Sequence, residues 1–159
     1  MNVGGDALAP LMEEDRAALS PLFSKIASGI GCEVPKCDVL FLYADLTSDG
    51  SLGLGEGMTL RHVAARAGAK IAVLASDNAS EGILAASRLL GPKQTNLVWT
   101  LDRKGRAFPT FFKELFHRMK SGKAMPGVWV VLAPQHEAEG HRDLPETLCQ
   151  LEAGQVRFR

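Results

Sequence analysis

Three short stretches carry oxygen-bearing and glycine residues from which a site could be built. They are Asp45-Leu-Thr-Ser-Asp49-Gly-Ser-Leu-Gly53-Leu-Gly55-Glu-Gly57, Ser76-Asp77-Asn78, and Asp102-Arg-Lys-Gly105. The first is rich in glycine ahead of a helical pattern, and bare backbone N–H groups before a helix make an anion site. A dinucleotide fingerprint G-x-G-x-x-G would need a third glycine at 58, where Met58 stands, and no G-x-x-x-x-G-K-[ST] occurs. Asp45, Asp49 and Glu56 also place negative charge where an anion would sit, so a flexible surface loop is the plainer expectation. The candidate ligand-binding residues are Asp45, Asp49, Gly53, Gly55, Gly57, Ser76 and Asp77.

Asp45, Asp49 and Asp77 could share a divalent cation, because carboxylate oxygens from two adjacent strand ends suit a hard ion. The spacing resembles that of response-regulator receiver domains, with Asp45 as the acceptor and Ser76 at the next strand end. No upstream strand supplies the acidic pair and no Lys sits at the end of residues 96–101 to complete that pattern, and aspartates in turns commonly serve as caps. No resident metal and no cofactor is expected. His136-Glu-Ala-Glu-Gly-His141 is one residue too long for H-E-x-x-H, and an i, i+5 pair points to different helix faces. Cys32 and Cys37 supply two thiols where a structural zinc wants four ligands. His62 and His117 fall among charged helical neighbours as surface residues, and no G-x-S-x-G occurs.

Elements that would position these residues are legible from apolar patterning. Residues 38–43 (DVLFLY), 69–75 (AKIAVLA), 96–101 (NLVWTL) and 128–133 (VWVVLA) are short and continuously apolar, as strands covered on both faces are. Helical stripes lie between them: Leu60, Val63, Ala64, Ala67 before Gly68; Ala79, Ile83, Ala86, Leu90; and Phe112, Leu115, Phe116, Met119 between Pro109 and Gly122. Leu19, Leu22, Phe23, Ile26 and Ile30 predict a further helix, and residues 155–159 (QVRFR) a short edge strand. Strand and helix alternating in this way predict a single α/β domain over 1–159. It would be a three-layer sandwich on a mostly parallel sheet, Rossmann-like, flavodoxin-like or caspase-like, with 1–18 flexible or an extra helix. In such sheets ligands gather at the carboxyl ends of strands.

Composition narrows the function classes. Eighteen basic and eighteen acidic residues cancel over 159 residues, which argues against a protein that grips phosphate backbones. Arg103, Lys104 and Arg106 form a local basic run. No apolar stretch approaches the length of a membrane span. The first nineteen residues lack a basic, then apolar, signal pattern, and three cysteines at irregular spacing read as reduced thiols. A cytoplasmic protein is expected.

The stretch Cys37-Asp-Val-Leu-Phe-Leu-Tyr-Ala-Asp45, then Gly55-Glu-Gly57, then Ala67-Gly-Ala-Lys-Ile-Ala-Val-Leu-Ala-Ser76, resembles the C-terminal part of CHAT domains, bacterial relatives of caspases and separases. Residues 112–122 look like that family's following helix and the Trp129 segment like its closing strand. The family's nucleophilic Cys falls at Asp45, which cannot replace a thiolate attacking an amide. No His precedes His62 to serve as its partner. The resemblance therefore implies a non-catalytic caspase-like module that binds a protein partner or forms a homo-oligomer. The alternative is a small enzyme or ligand binder using residues 45–57 with Ser76 and Asp77, with or without a divalent metal.

Overall fold

The computed structural model describes residues 1–27, 33–54, 57–138 and 144–158, with the side chains of 134–138 left aside. Its centre is a four-stranded sheet in the order β1 (Val39–Leu42), β2 (Ile71–Leu74), β3 (Asn96–Asp102), β4 (Glu146–Gln150). The first three strands are parallel, with Val39 beside Ile71 and Ile71 beside Asn96; β4 closes one edge antiparallel, with Leu97 beside Gln150. Every side chain of β2 is buried, which is why its apolarity is unbroken rather than alternating.

Consecutive parallel strands joined by right-handed crossovers place both crossover helices on one face. α2 (Leu60–Ala67) begins at Thr59, whose hydroxyl accepts the His62 N–H, and ends at Gly68 with φ 71°, a left-handed stop that glycine adopts without strain. α2 and α3 (Ser80–Arg88) bury Leu60, Val63, Ala64, Ile83 and Ala86 against Leu40, Leu42, Ala72, Leu74, Leu97 and Trp99. The opposite face is covered by α1 (Ala9–Leu19), α4 (Ala107–Lys120) and α5 (Met125–Ala138), through a core rich in phenylalanine. Phe41 meets Phe112 edge-on at 5.4 Å and Phe108 at 6.3 Å, the geometry that aromatic quadrupoles favour. The fold is a three-layer α/β sandwich on a mostly parallel sheet.

Three expected elements differ. Residues 128–133 lie within α5 and are not a strand. A short apolar run cannot be told from a buried helix by periodicity alone, and the Val-rich sequence favours strand only locally. Met125, Val128 and Leu132 recur on one helical face, and Trp129 meets Phe111 at 5.1 Å, so packing on α4 decides the outcome. The tail 155–158 forms no strand; Val156 instead accepts the Met125 N–H at 2.9 Å, and the antiparallel edge is supplied by Glu146–Gln150. The helix expected from Leu19 through Ile30 lies upstream, as α1. It tightens into a 3-10 turn at Ser20–Leu22, where Pro21 has no N–H to continue the ladder, and Phe23 is already extended. Ile30 falls outside the described residues. Among the described residues no helix is long and apolar enough to cross a membrane.

Candidate functional site

At the carboxyl ends of β1, β2 and β3 the polar side chains bond to one another's loops. The Ser76 hydroxyl donates to the Ala44 carbonyl and accepts the Ala44 N–H at 3.2 Å. Asn78 Oδ1 accepts the Leu46 N–H at 2.8 Å, and Asp77 Oδ1 accepts the Arg103 N–H at 2.8 Å. Ser76 and Asp77 are thus brought together, as clasps across three strand ends. Small polar side chains suit this because each satisfies a backbone group that a turn leaves unpaired.

Beneath the clasps lies a buried ion pair. Arg103 Nη1 and Nη2 each reach one oxygen of Asp15, on α1, at 2.8 Å, and Nη1 also donates to the Ala75 carbonyl. The guanidinium lies 4.1 Å above the Phe108 ring. Tyr43 donates its hydroxyl to Asp15 Oδ2 at 2.8 Å, and burial, reinforced by the Asp15 charge, pushes the phenol above its ordinary range. Charged groups so deep require this degree of pairing. The basic run is accordingly dispersed: Arg103 is buried, Lys104 pairs with Asp102 at 2.6 Å and Glu146 at 3.2 Å, and Arg106 points outward beside Glu14.

The glycine-rich loop is packed rather than open. Gly50, at φ +83°, presses on α3 so closely that a Cβ there would stand 2.2 Å from the Ala86 nitrogen. Leu52 enters the core, and its N–H bonds the Met58 carbonyl at 2.8 Å. Asp49 is exposed and caps the turn through the Thr47 hydroxyl and the Ser51 N–H; these bonds, Thr47 first, hold its carboxyl below the ordinary value. Asp45, Gly53 and Gly57 are exposed, while Gly55 and Glu56 lie outside the described residues. No group of three or more His, Cys, Asp or Glu among the described residues is placed to hold one metal ion.

Other candidates are scattered. His136 is in α5, and His141 and Cys32 lie outside the described residues. Burial pushes the Cys37 thiol up and Cys149 up to about 12, so both thiols stay protonated near neutral pH and are weak nucleophiles. His62, exposed, meets the Thr59 hydroxyl through Nδ1 at 3.0 Å; His117 is exposed on α4.

Elsewhere, a groove of about 1390 Å³ runs along the edge of β1 that faces away from β2. Leu22, Phe23, Val39 and Phe41 provide apolar lining, and Lys36, Lys70 and Lys93 approach from the loops that lead into the three parallel strands. Asp38 and Leu42 give their carbonyls to the β2 side, so Val39 presents its backbone groups to the groove. The Phe41 carbonyl accepts the Met1 amino group at 2.7 Å and Tyr43 bonds Met1 and Val3, a single parallel bridge between Asn2 and Tyr43. The sequence signal for this groove was a lysine shortly before each parallel strand, at the end of the sheet opposite the glycine-rich loop.

Compared with known proteins, no family model, no curated protein and no solved structure matches this chain.

Proposed function

We propose that this chain is a non-catalytic α/β binding module that holds an extended segment of a protein partner in the groove beside β1. The observation that carries the reading is the combination of an apolar groove with a strand edge whose Val39 backbone faces it. Extended peptides add to such edges, with main-chain hydrogen bonds giving affinity and side-chain pockets giving selectivity. At the strand ends, by contrast, Ser76, Asp77 and Asn78 spend polar groups on neighbouring loops. The resemblance to CHAT domains points the same way, since Asp45 replaces their nucleophile and leaves a caspase-like scaffold without its thiolate.

Selection of random dodecapeptides on the immobilised protein tests this reading. Enriched sequences are expected to bind the parent chain and to lose binding on Val39→Pro, which deletes an edge N–H at a position where proline fits a strand. Enrichment of no sequence, or of sequences indifferent to Val39→Pro, would overturn it.

A further inference from the structure

We propose that the segment held beside β1 is acidic, its carboxylates met by a ring of lysines and one arginine at the amino ends of the strands. This rests on the groove being a protein-binding surface and names the chemistry of what it binds.

The chain is neutral overall, yet its groove is not. Lys25, Lys36, Lys70, Lys93, Lys120 and Arg157 line it, all exposed, and none forms an ion pair among the described residues. The acidic lining residues are largely neutralised: Asp15 is bound by Arg103 and Glu152 by Arg61, which leaves Asp38. Lys36, Lys120 and Arg157 donate to the carbonyls of Arg66, Leu22 and Gly122 at 2.6–2.8 Å. Carbonyl contacts orient these cations without cancelling their charge. A concave surface of one sign concentrates its field and attracts ligands of the other.

Phosphates would answer the charge equally well, but the rest of the groove fits a polypeptide. Val39 offers a strand edge, which a peptide backbone can pair with and a sugar-phosphate backbone cannot. The aromatic rings are engaged inside the core, Phe41 against Phe112 at 5.4 Å and Phe23 against Phe116 at 5.5 Å, so they are not free platforms for stacked bases.

Fluorescence anisotropy with four labelled probes decides the matter: alternating Glu-Val, Gln-Val and Lys-Val decapeptides, and an oligothymidylate. The Glu-Val peptide is expected to bind most tightly, to weaken with added salt, and to lose at least about tenfold in affinity on Lys36→Glu/Lys70→Glu/Lys93→Glu. These side chains are exposed, so circular dichroism should match the parent and Tm should fall only slightly, through loss of the Lys36 bond to the Arg66 carbonyl; a single Lys93→Glu variant, expected to weaken binding about threefold, provides the same readout with less perturbation. If Gln-Val binds as tightly as Glu-Val, the acidic preference fails while the peptide groove stands. If no decapeptide binds, both fall. If oligothymidylate binds more tightly than Glu-Val, the groove belongs to nucleic acid and the proposal is wrong.

Discussion

Arg61 on α2 grips Glu152, 91 residues further along the chain, through Nη2 at 2.8 Å and Nε at 3.1 and 3.2 Å. The same guanidinium donates to the carbonyls of Ala86, Ser87 and Leu89, the last turn of α3 and its exit. One side chain therefore adds to the pairing of a helix end, where Ala86 also accepts the Leu89 N–H and Ser87 the Gln150 amide, and ties it to the segment after β4. Both partners are nearly fully buried, at 2% and 8% side-chain exposure.

Removing either partner of this pair strands the other. Arg61→Ala should lower stability by roughly 3–5 kcal/mol, because it leaves a buried carboxylate without its cation and takes the donor from the Leu89 carbonyl. Urea denaturation of Arg61→Ala, Glu152→Gln and the double variant measures this. The double should fall well short of the summed single losses, and strict additivity would show that the two side chains do not interact.

Val73 and Arg66 test the core assignment. Val73 is fully buried in β2, whereas Arg66 is exposed near the end of α2. Val73→Asp buries a charge without a partner and should give insoluble or largely unfolded protein, against a total stability of roughly 5–15 kcal/mol. Arg66→Glu should remain folded, losing less than about 1 kcal/mol, mainly from placing an acid at a helix C-terminus. Comparable soluble yields for the two would refute the buried position of β2.

The glycine-rich loop offers a contrast within thirteen residues. Gly50→Ala must accommodate both φ +83° and a clash with the α3 backbone, so a loss of roughly 2–4 kcal/mol is expected. At Gly53, where a Cβ meets nothing within 4 Å, the same change should cost about 1 kcal/mol or less. Thermal unfolding of both variants measures the difference. Equal shifts would mean that this loop does not rest on α3.

Alkaline pH should reveal the buried thiol of β4. Cys149 is pushed up to about 12 by burial from an ordinary value of 9.0, so the folded state retains a proton that the unfolded chain releases first. A raised value contributes stability in full below the unfolded pKa and loses it as pH climbs toward the folded one. Urea stability should therefore decline between pH 9 and about 12, and Cys149→Ala should flatten part of that decline. An unchanged slope in the variant would place the thiol in contact with water.

The parallel core was readable because β2 and residues 97–99 of β3 are short unbroken apolar runs set between helical stripes, as strands covered on both faces are. α5 was not, because Val128, Trp129, Val130 and Val131 satisfy the local preference for strand, and only packing on Phe111 and α4 makes them helical. The site residues divide along the same line. Ser76 and Asp77 were legible as strand-end polar groups, but their bonds to Ala44 and Arg103 depend on loops brought together by the sheet. The pairings of Asp15 with Arg103 and Arg61 with Glu152 leave no trace in spacing, since a charged residue does not announce a partner 88 or 91 positions away.

The Asp15–Arg103 fork also bears on how the chain is made. β1 and β2 can pair as soon as residue 74 is available, but α1 cannot seat its buried aspartate until Arg103 has been synthesised, 88 residues after Asp15. At translation rates of about 5–20 residues per second, this interval is roughly 4 to 18 seconds. Over that interval Asp15, buried in the finished protein, lacks the cation that pairs with it there. A ribosome pausing before codon 103 would prolong exposure of the apolar face of α1, with Leu19 not yet covered by α4.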